Sequence, residues 1–354
     1  MSRIKQVNFV YLFTVLASFG ASFVIRAVEK YLHVTNEAVL LSVNQAVLLL
    51  PSCIYLAKQN LPVKQVMRLN KISFSNIMLI IGFTILISPI MTFVNMVSLL
   101  FTKNVIGGTV TDIVGGNSAI ISVLVIALIP AIVEEVIFRG VLYNGGYRHA
   151  GILKGALMSG LVFGLLHLNL NQFSYAFLLG FVFCILIEAT GSLFSSMIAH
   201  FLINGSSVML SILLVKLSSF INEMGMDTSA ADAAYGTEDM LPLIGYYGVV
   251  ALVCGFLAVK VLKVIARNAG RSAQLDSIFH PQQEPATTWE ADGLTQYGTA
   301  NGDDMFASYY NRENSNALRR VKEQEDKKLI SAPLALGIII CTVWIILSQI
   351  GLYL

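Results

Sequence analysis

Glu134 and Glu135 stand side by side inside a stretch, residues 120–142, that is otherwise almost wholly apolar, and Arg139 follows four residues after the second. A charged side chain in hydrocarbon costs about 2.5–3.5 kcal/mol on insertion scales, so such a group within a membrane span marks a functional site by default. Two more polar pairs occur in later apolar stretches: His167 four residues after Phe163, and His200 four residues before Asn204. Residues four apart share one face of a helix. Glu135 and Arg139 are therefore expected to form an ion pair, with the arginine stem along the helix and its head toward interfacial water. Glu134, about 100° round the helix, is left for another task. A lone intramembrane His or Asn more often hydrogen-bonds a neighbouring helix than performs chemistry. A carboxylate, two imidazoles and an amide on three separate spans can instead converge on one interior cavity, where a carboxylate near neutrality can act as a base and N–H groups can hold a developing oxyanion.

The rest of the chain reads as the frame for that cavity. Of its 354 residues 56% are hydrophobic and 12% charged, and a mean hydropathy of +0.72 is far above that of soluble proteins. The expected fold is all-α: a polytopic, integral membrane helical bundle. Apolar runs long enough to span begin near Phe9, Ala38, Ser75, Ala119, Gly155, Phe173, Leu193, Pro242 and Pro333, giving eight to nine transmembrane helices. Pro51, Pro89 and Pro130 fall inside spans as expected kinks. The first run has the basic start of a signal peptide, Arg3 and Lys5, but its apolar stretch to Ile25 is longer than a usual signal core and reads as a retained helix. Gly151, Gly155, Gly160 and Gly164 have the small-residue spacing of close helix packing. Cys53, Cys184, Cys254 and Cys341 lie in apolar stretches without CxxC spacing, so they read as small core residues. A net charge of +2 gives no reason to expect a nucleic-acid partner; membrane lipids are the expected surroundings.

Lysines and arginines cluster before the first span, after the second (Lys58, Lys64, Arg68, Lys71), after the fourth (Arg139, Arg148, Lys154) and after the eighth (Lys260, Lys263, Arg267, Arg271). By the positive-inside rule these ends are cytoplasmic, with the N-terminus inside and the C-terminus outside. The same rule puts the cavity mouth on the side of the Arg139–Lys154 loop. The chain divides into N-terminal spans (1–118), a catalytic core (119–217), an outer acidic loop with a further span (218–264), a polar, disordered cytoplasmic linker (265–330) and a last span (331–354).

The three motifs together resemble the CPBP group of intramembrane endopeptidases, the CAAX protease and bacteriocin-processing or Abi proteins, which includes the type II CAAX prenyl endopeptidases. Its Glu-Glu-x-x-x-Arg reads Glu134-Glu135-Val136-Ile137-Phe138-Arg139, its Phe-x-x-x-His reads Phe163-Gly164-Leu165-Leu166-His167, and its His-x-x-x-Asn reads His200-Phe201-Leu202-Ile203-Asn204, in the family's order. The resemblance covers about residues 119–211 and implies peptide-bond hydrolysis. Glu134 would be the general base activating a water, His167 would hold or polarise that water, and His200 with Asn204 would stabilise the oxyanion; Glu135, Arg139 and Phe163 would support them. The resemblance implies no cofactor, although Glu134, His167 and His200 would suit a catalytic zinc. It also implies a membrane-associated peptide or protein substrate, lipidated in some relatives, and a bacterial cell membrane rather than an organelle. Two other readings use the same residues: a non-catalytic immunity or scaffold protein whose polar groups fix helix packing, and a proton-coupled transporter with Glu134 as the proton carrier.

Overall fold

A computed structural model describes residues 2–59, 62–102, 106–223, 237–279 and 328–350. The described residues form helices and connecting turns with no strand, as a chain without solvent for its backbone requires. Eight helices are long and apolar enough to cross a membrane. They are α1 (Arg3–Leu32), α2 (Glu37–Gln59), α4 (Phe74–Leu99), a composite helix through residues 119–150, α9 (Leu170–Thr190), α10 (Leu193–Glu223), α11 (Thr237–Asn268) and α13 (Ala332–Gln349). The fifth apolar run, near Gly155, becomes α8 (Ile152–Leu166), too short to count with them. Short helices α3 (Val63–Val66), α5 (Ile106–Gly116) and α12 (Ser272–Phe279) join the long ones.

The composite helix is irregular where the motif lies. It runs as α6 (Ala119–Val123), a π-helical turn (Leu124–Leu128), α7 (Ile129–Glu135) and a second π-helical stretch (Val136–Asn144). Pro130 stands at the start of α7, directly after the first π turn, and has no N–H to offer the Ile126 carbonyl four residues before it. Such widened turns are uncommon and gather at functional sites.

Helices α8 and α9 form a tight hairpin at the centre, and glycine makes the approach possible. A Cβ on Gly160 would lie 2.6 Å from the Phe177 carbonyl oxygen, and one on Gly180 would lie 2.6 Å from the Gly160 Cα. The apolar core falls into two large clusters. One joins α1, the composite helix, α8 and α13; the other joins α4, α9 and α11. The last helix returns to the first: Asn8 donates to the Leu329 carbonyl and to Ser331 Oγ, each at 2.8 Å, and Tyr11 Oη meets Cys341 Sγ at 3.7 Å. Helix α11 continues to Asn268 and α12 follows it, so the polar turn in composition at 265 does not end the helical structure. The remainder of the expected linker (280–327) and most of the acidic outer loop (224–236) lie outside the described residues.

Candidate active site

Glu135 and Arg139 pair as the spacing requires, Nη1 to Oε1 at 2.8 Å, with both side chains wholly buried. The arginine does not reach water. Its guanidinium instead lies over the Phe163 ring, 4.1 Å from the centroid, with Phe183 on its other flank at 5.3 Å. A buried guanidinium is tolerable here because one carboxylate and two aromatic faces share its charge. Phe163 thus serves both as a shelf for Arg139 and as an edge contact for His167 and His200, with ring centroids at 4.9 and 6.2 Å.

Glu135 has a second partner that helix geometry on one span cannot reveal. His200, from α10, donates Nδ1–H to its Oε1 at 2.9 Å. This bond fixes the ring so that Nε2 faces Glu134, 3.8 Å from Oε2. The two glutamates therefore grip opposite edges of one imidazole. Glu134 is partly exposed and lines the cavity, whereas Glu135 is sealed behind it. His167 caps the end of α8, its Nδ1 bonded to the Phe163 carbonyl at 2.9 Å. A carbonyl can only accept, so Nδ1 carries the proton and Nε2 of the neutral ring is left as an acceptor. Asn204 donates to the Ile126 carbonyl at 3.2 Å, next to the first π turn.

Glu134, His167, His200 and Asn204 all line one cavity of about 770 Å³. Its walls are rich in neutral polar groups, including Asn44, Gln45, Asn95, Asn171 and Ser207. Gln45, on α2, lies outside all three motifs; its Nε2 donates to Glu134 Oε1 at 3.1 Å. Its own Oε1 is buried without a partner. The signal available in the sequence was the adjacent amides Asn44 and Gln45 within an apolar span, too common a feature to single out. The three side chains a zinc would need are not assembled: among the described residues, no three His, Cys, Asp or Glu groups come together as a metal site.

The cavity extends away from the basic helix ends. Glu134 and His200 sit about 10–15 Å from the Lys/Arg-rich helix ends, counted at 1.5 Å per residue, while Asn95, Asn171 and Ser211 on its wall lie about 27–31 Å away. The near end is closed instead by buried Tyr143 and Tyr147 and by a knot around Glu188. Glu188, buried at the end of α9, accepts from Arg68 Nη1 and Arg148 Nε at 2.6 Å each, from Tyr143 Oη at 3.1 Å and from Arg271 Nη2 at 3.3 Å. Arg139, expected to reach interfacial water, is internal, and Arg148 is drawn onto Glu188. Glu188 was visible in the sequence by the same rule that marks Glu134, a carboxylate in an apolar span.

One segment of this all-α integral membrane protein, the part that bears the motifs, is similar to the type II CAAX prenyl endopeptidases: the Rce1-like family model matches residues 116–206. The named relative is the Bacillus subtilis (strain 168) protein "Putative membrane peptidase YdiL", 27% identical over 82 residues, which are 23% of this chain and 34% of that protein. That similarity spans about a third of the relative's length, and the family model takes in the composite helix, α8, α9 and the first turns of α10. No solved structure matches the chain.

Proposed function

We propose that the chain is an intramembrane endopeptidase that hydrolyses a peptide bond of a membrane-associated substrate with a water activated by Glu134. The observation that carries this reading is the clamp Glu135–His200–Glu134 at the floor of a polar cavity inside an otherwise apolar bundle. Glu134 takes a proton from the water, whose oxygen adds to the substrate carbonyl carbon as the C=O electrons move onto the carbonyl oxygen. His167 Nε2 accepts the water's other hydrogen and orients it. With Nδ1–H committed to Glu135, His200 donates from Nε2 to the oxyanion as the imidazolium. The Asn204 amide uses one hydrogen on Ile126 and keeps a second for the same oxyanion. Collapse of the intermediate expels the amine, which takes the proton held by Glu134. None of these steps requires a metal ion.

The distribution of Lys and Arg supports an N-terminus inside and a C-terminus outside, with the Glu188 plug at the cytoplasmic face. The cavity then admits substrate from the outer half of the bilayer, and its amide-rich walls suit an extended peptide backbone. The relative's bacterial origin supports a bacterial cell membrane. The decisive experiment compares membrane peptides from cells carrying wild-type protein and Glu134→Gln. Fragments are expected with wild type only, while the variant inserts normally. Identical peptide patterns would remove the hydrolase reading, and proton-linked flux abolished by the same substitution in proteoliposomes would establish a transporter instead. Cleavage should also survive exhaustive chelation; loss of cleavage that zinc restores would overturn the metal-free route.

A further inference from the structure

The knot that closes the near end of the bundle carries more positive charge than its own glutamate can balance. Three guanidinium groups converge on Glu188: Arg68 from the turn after α3, Arg148 from the end of the composite helix, and Arg271 from the turn between α11 and α12. One buried carboxylate against three arginines leaves two positive charges in a single cluster. The Glu188 carboxylate is already saturated, with Oε1 taken by Arg68, Arg148 and Tyr143 and Oε2 by Arg148 Nη2 and Arg271 Nη2. Among the described residues Arg148 Nη1 and Arg271 Nη1 have no hydrogen-bond partner, and their side chains are 32% and 27% exposed.

The backbone holds this arrangement against resistance. Arg68 has φ +56°, a left-handed posture unfavourable for a residue with a Cβ. Its carbonyl accepts the Leu193 N–H at 3.0 Å, which ties it to the start of α10. Gly191, at φ +75°, leaves room for the Arg271 stem, which a Cβ would approach to 3.2 Å. Arg271 stands outside the membrane-spanning helices, and burial together with the charges of Arg68 and Arg148 pulls its pKa below the usual arginine value despite Glu188. The like charges therefore repel within the cluster as it stands.

We propose that Arg148 and Arg271 bind a phosphate oxyanion at the mouth of this knot, supplied by the headgroup of an anionic phospholipid or by free phosphate. A phosphate presents several acceptor oxygens and up to two negative charges, matching the two free Nη1 groups and the surplus charge. The cluster sits where the ends of α9, the composite helix and α11 meet the water interface, the depth of a lipid phosphate. The site is remote from Glu134 and does not depend on the protease reading.

The test uses the purified full chain in nanodiscs. Native mass spectrometry should show wild type retaining phosphatidylglycerol in preference to phosphatidylcholine, and Arg148→Gln/Arg271→Gln should lose it, at about five-fold in affinity per arginine. Equal retention of the two lipids by wild type, or equal phosphatidylglycerol retention by wild type and the double variant, overturns the proposal. Should the double variant fail to fold, Arg148→Gln alone leaves two arginines on Glu188 and carries the same comparison. Thermal midpoints in detergent separate the sources. A rise with inorganic phosphate supports free phosphate, a rise only with phosphatidylglycerol supports the lipid, and no rise with either refutes the site.

Discussion

Glu134 differs from Glu135 in surroundings rather than in type. Glu135 is enclosed by Arg139 and His200, so its charge is spent on structure, while Glu134 faces the cavity with one oxygen toward His200 and the other held by Gln45. Glu134→Gln keeps the shape and removes the base, and cleavage should fall by about 10²- to 10⁴-fold, the usual worth of general base catalysis, in the same membrane-peptide assay. Gln45 gives a finer test. As a positioning residue it donates to Glu134, and its unpaired Oε1 is placed to accept a substrate backbone N–H. Gln45→Met, which preserves volume, should lower cleavage about 10- to 100-fold, the scale of one hydrogen bond to an ion. Gln45→Glu keeps the acceptor but sets a second carboxylate against Glu134, and should not restore the rate. If Gln45→Met cleaves like wild type, the amide only packs. Arg139→Ala would strand Glu135 in the interior, and breaking a buried pair from one side costs about 3–5 kcal/mol. A large drop in thermal midpoint is expected, with Arg139→Lys a poor rescue, because an ammonium cannot lie flat between Phe163 and Phe183.

At the scale of elements, the site depends on how closely α8 and α9 approach. Gly160 and Gly180 meet face to face, and the Gly180 position also adjoins Arg139 Nη2. Gly160→Val would force the hairpin apart, at a cost of about 1–3 kcal/mol for overpacking, and would displace Phe163 and His167 with α8. Expected results are a lower melting midpoint and a loss of cleavage larger than stability alone explains; an unchanged midpoint would show that the hairpin has slack. The glycine spacing was legible in the sequence, as were the helical class and the Glu135–Arg139 pair, because each is a short-range pattern along one helix. What joins different helices was not. The His200 bond to Glu135, the Gln45 bond to Glu134 and the return of α13 to Asn8 and Tyr11 link residues up to 330 positions apart. No periodicity within one span encodes such contacts. The π-helical stretch through Arg139 also escaped, since apolar spacing looks alike at 3.6 residues per turn and in a widened turn.

The whole molecule is polar in the literal sense, with a charged plug at one end and a neutral, amide-lined cavity reaching toward the other. Positive charge at loop ends orients a membrane protein during insertion, but it does not say which end a water-filled cavity must use. Here Glu188 draws Arg68, Arg148 and Arg271 inward over the helix ends. If the basic end is inside, the cavity and the plug must be reached from opposite faces of the membrane. Single cysteines at Ser211 and at Lys71, in a background with the four native cysteines replaced, would report this with a membrane-impermeant maleimide. Ser211→Cys should label in intact cells, whereas Lys71→Cys should label only after the membrane is opened. Labelling of both from the same face would contradict the arrangement. Labelling with the two faces exchanged would retain the cavity and reverse the orientation, moving substrate entry to the cytoplasmic side.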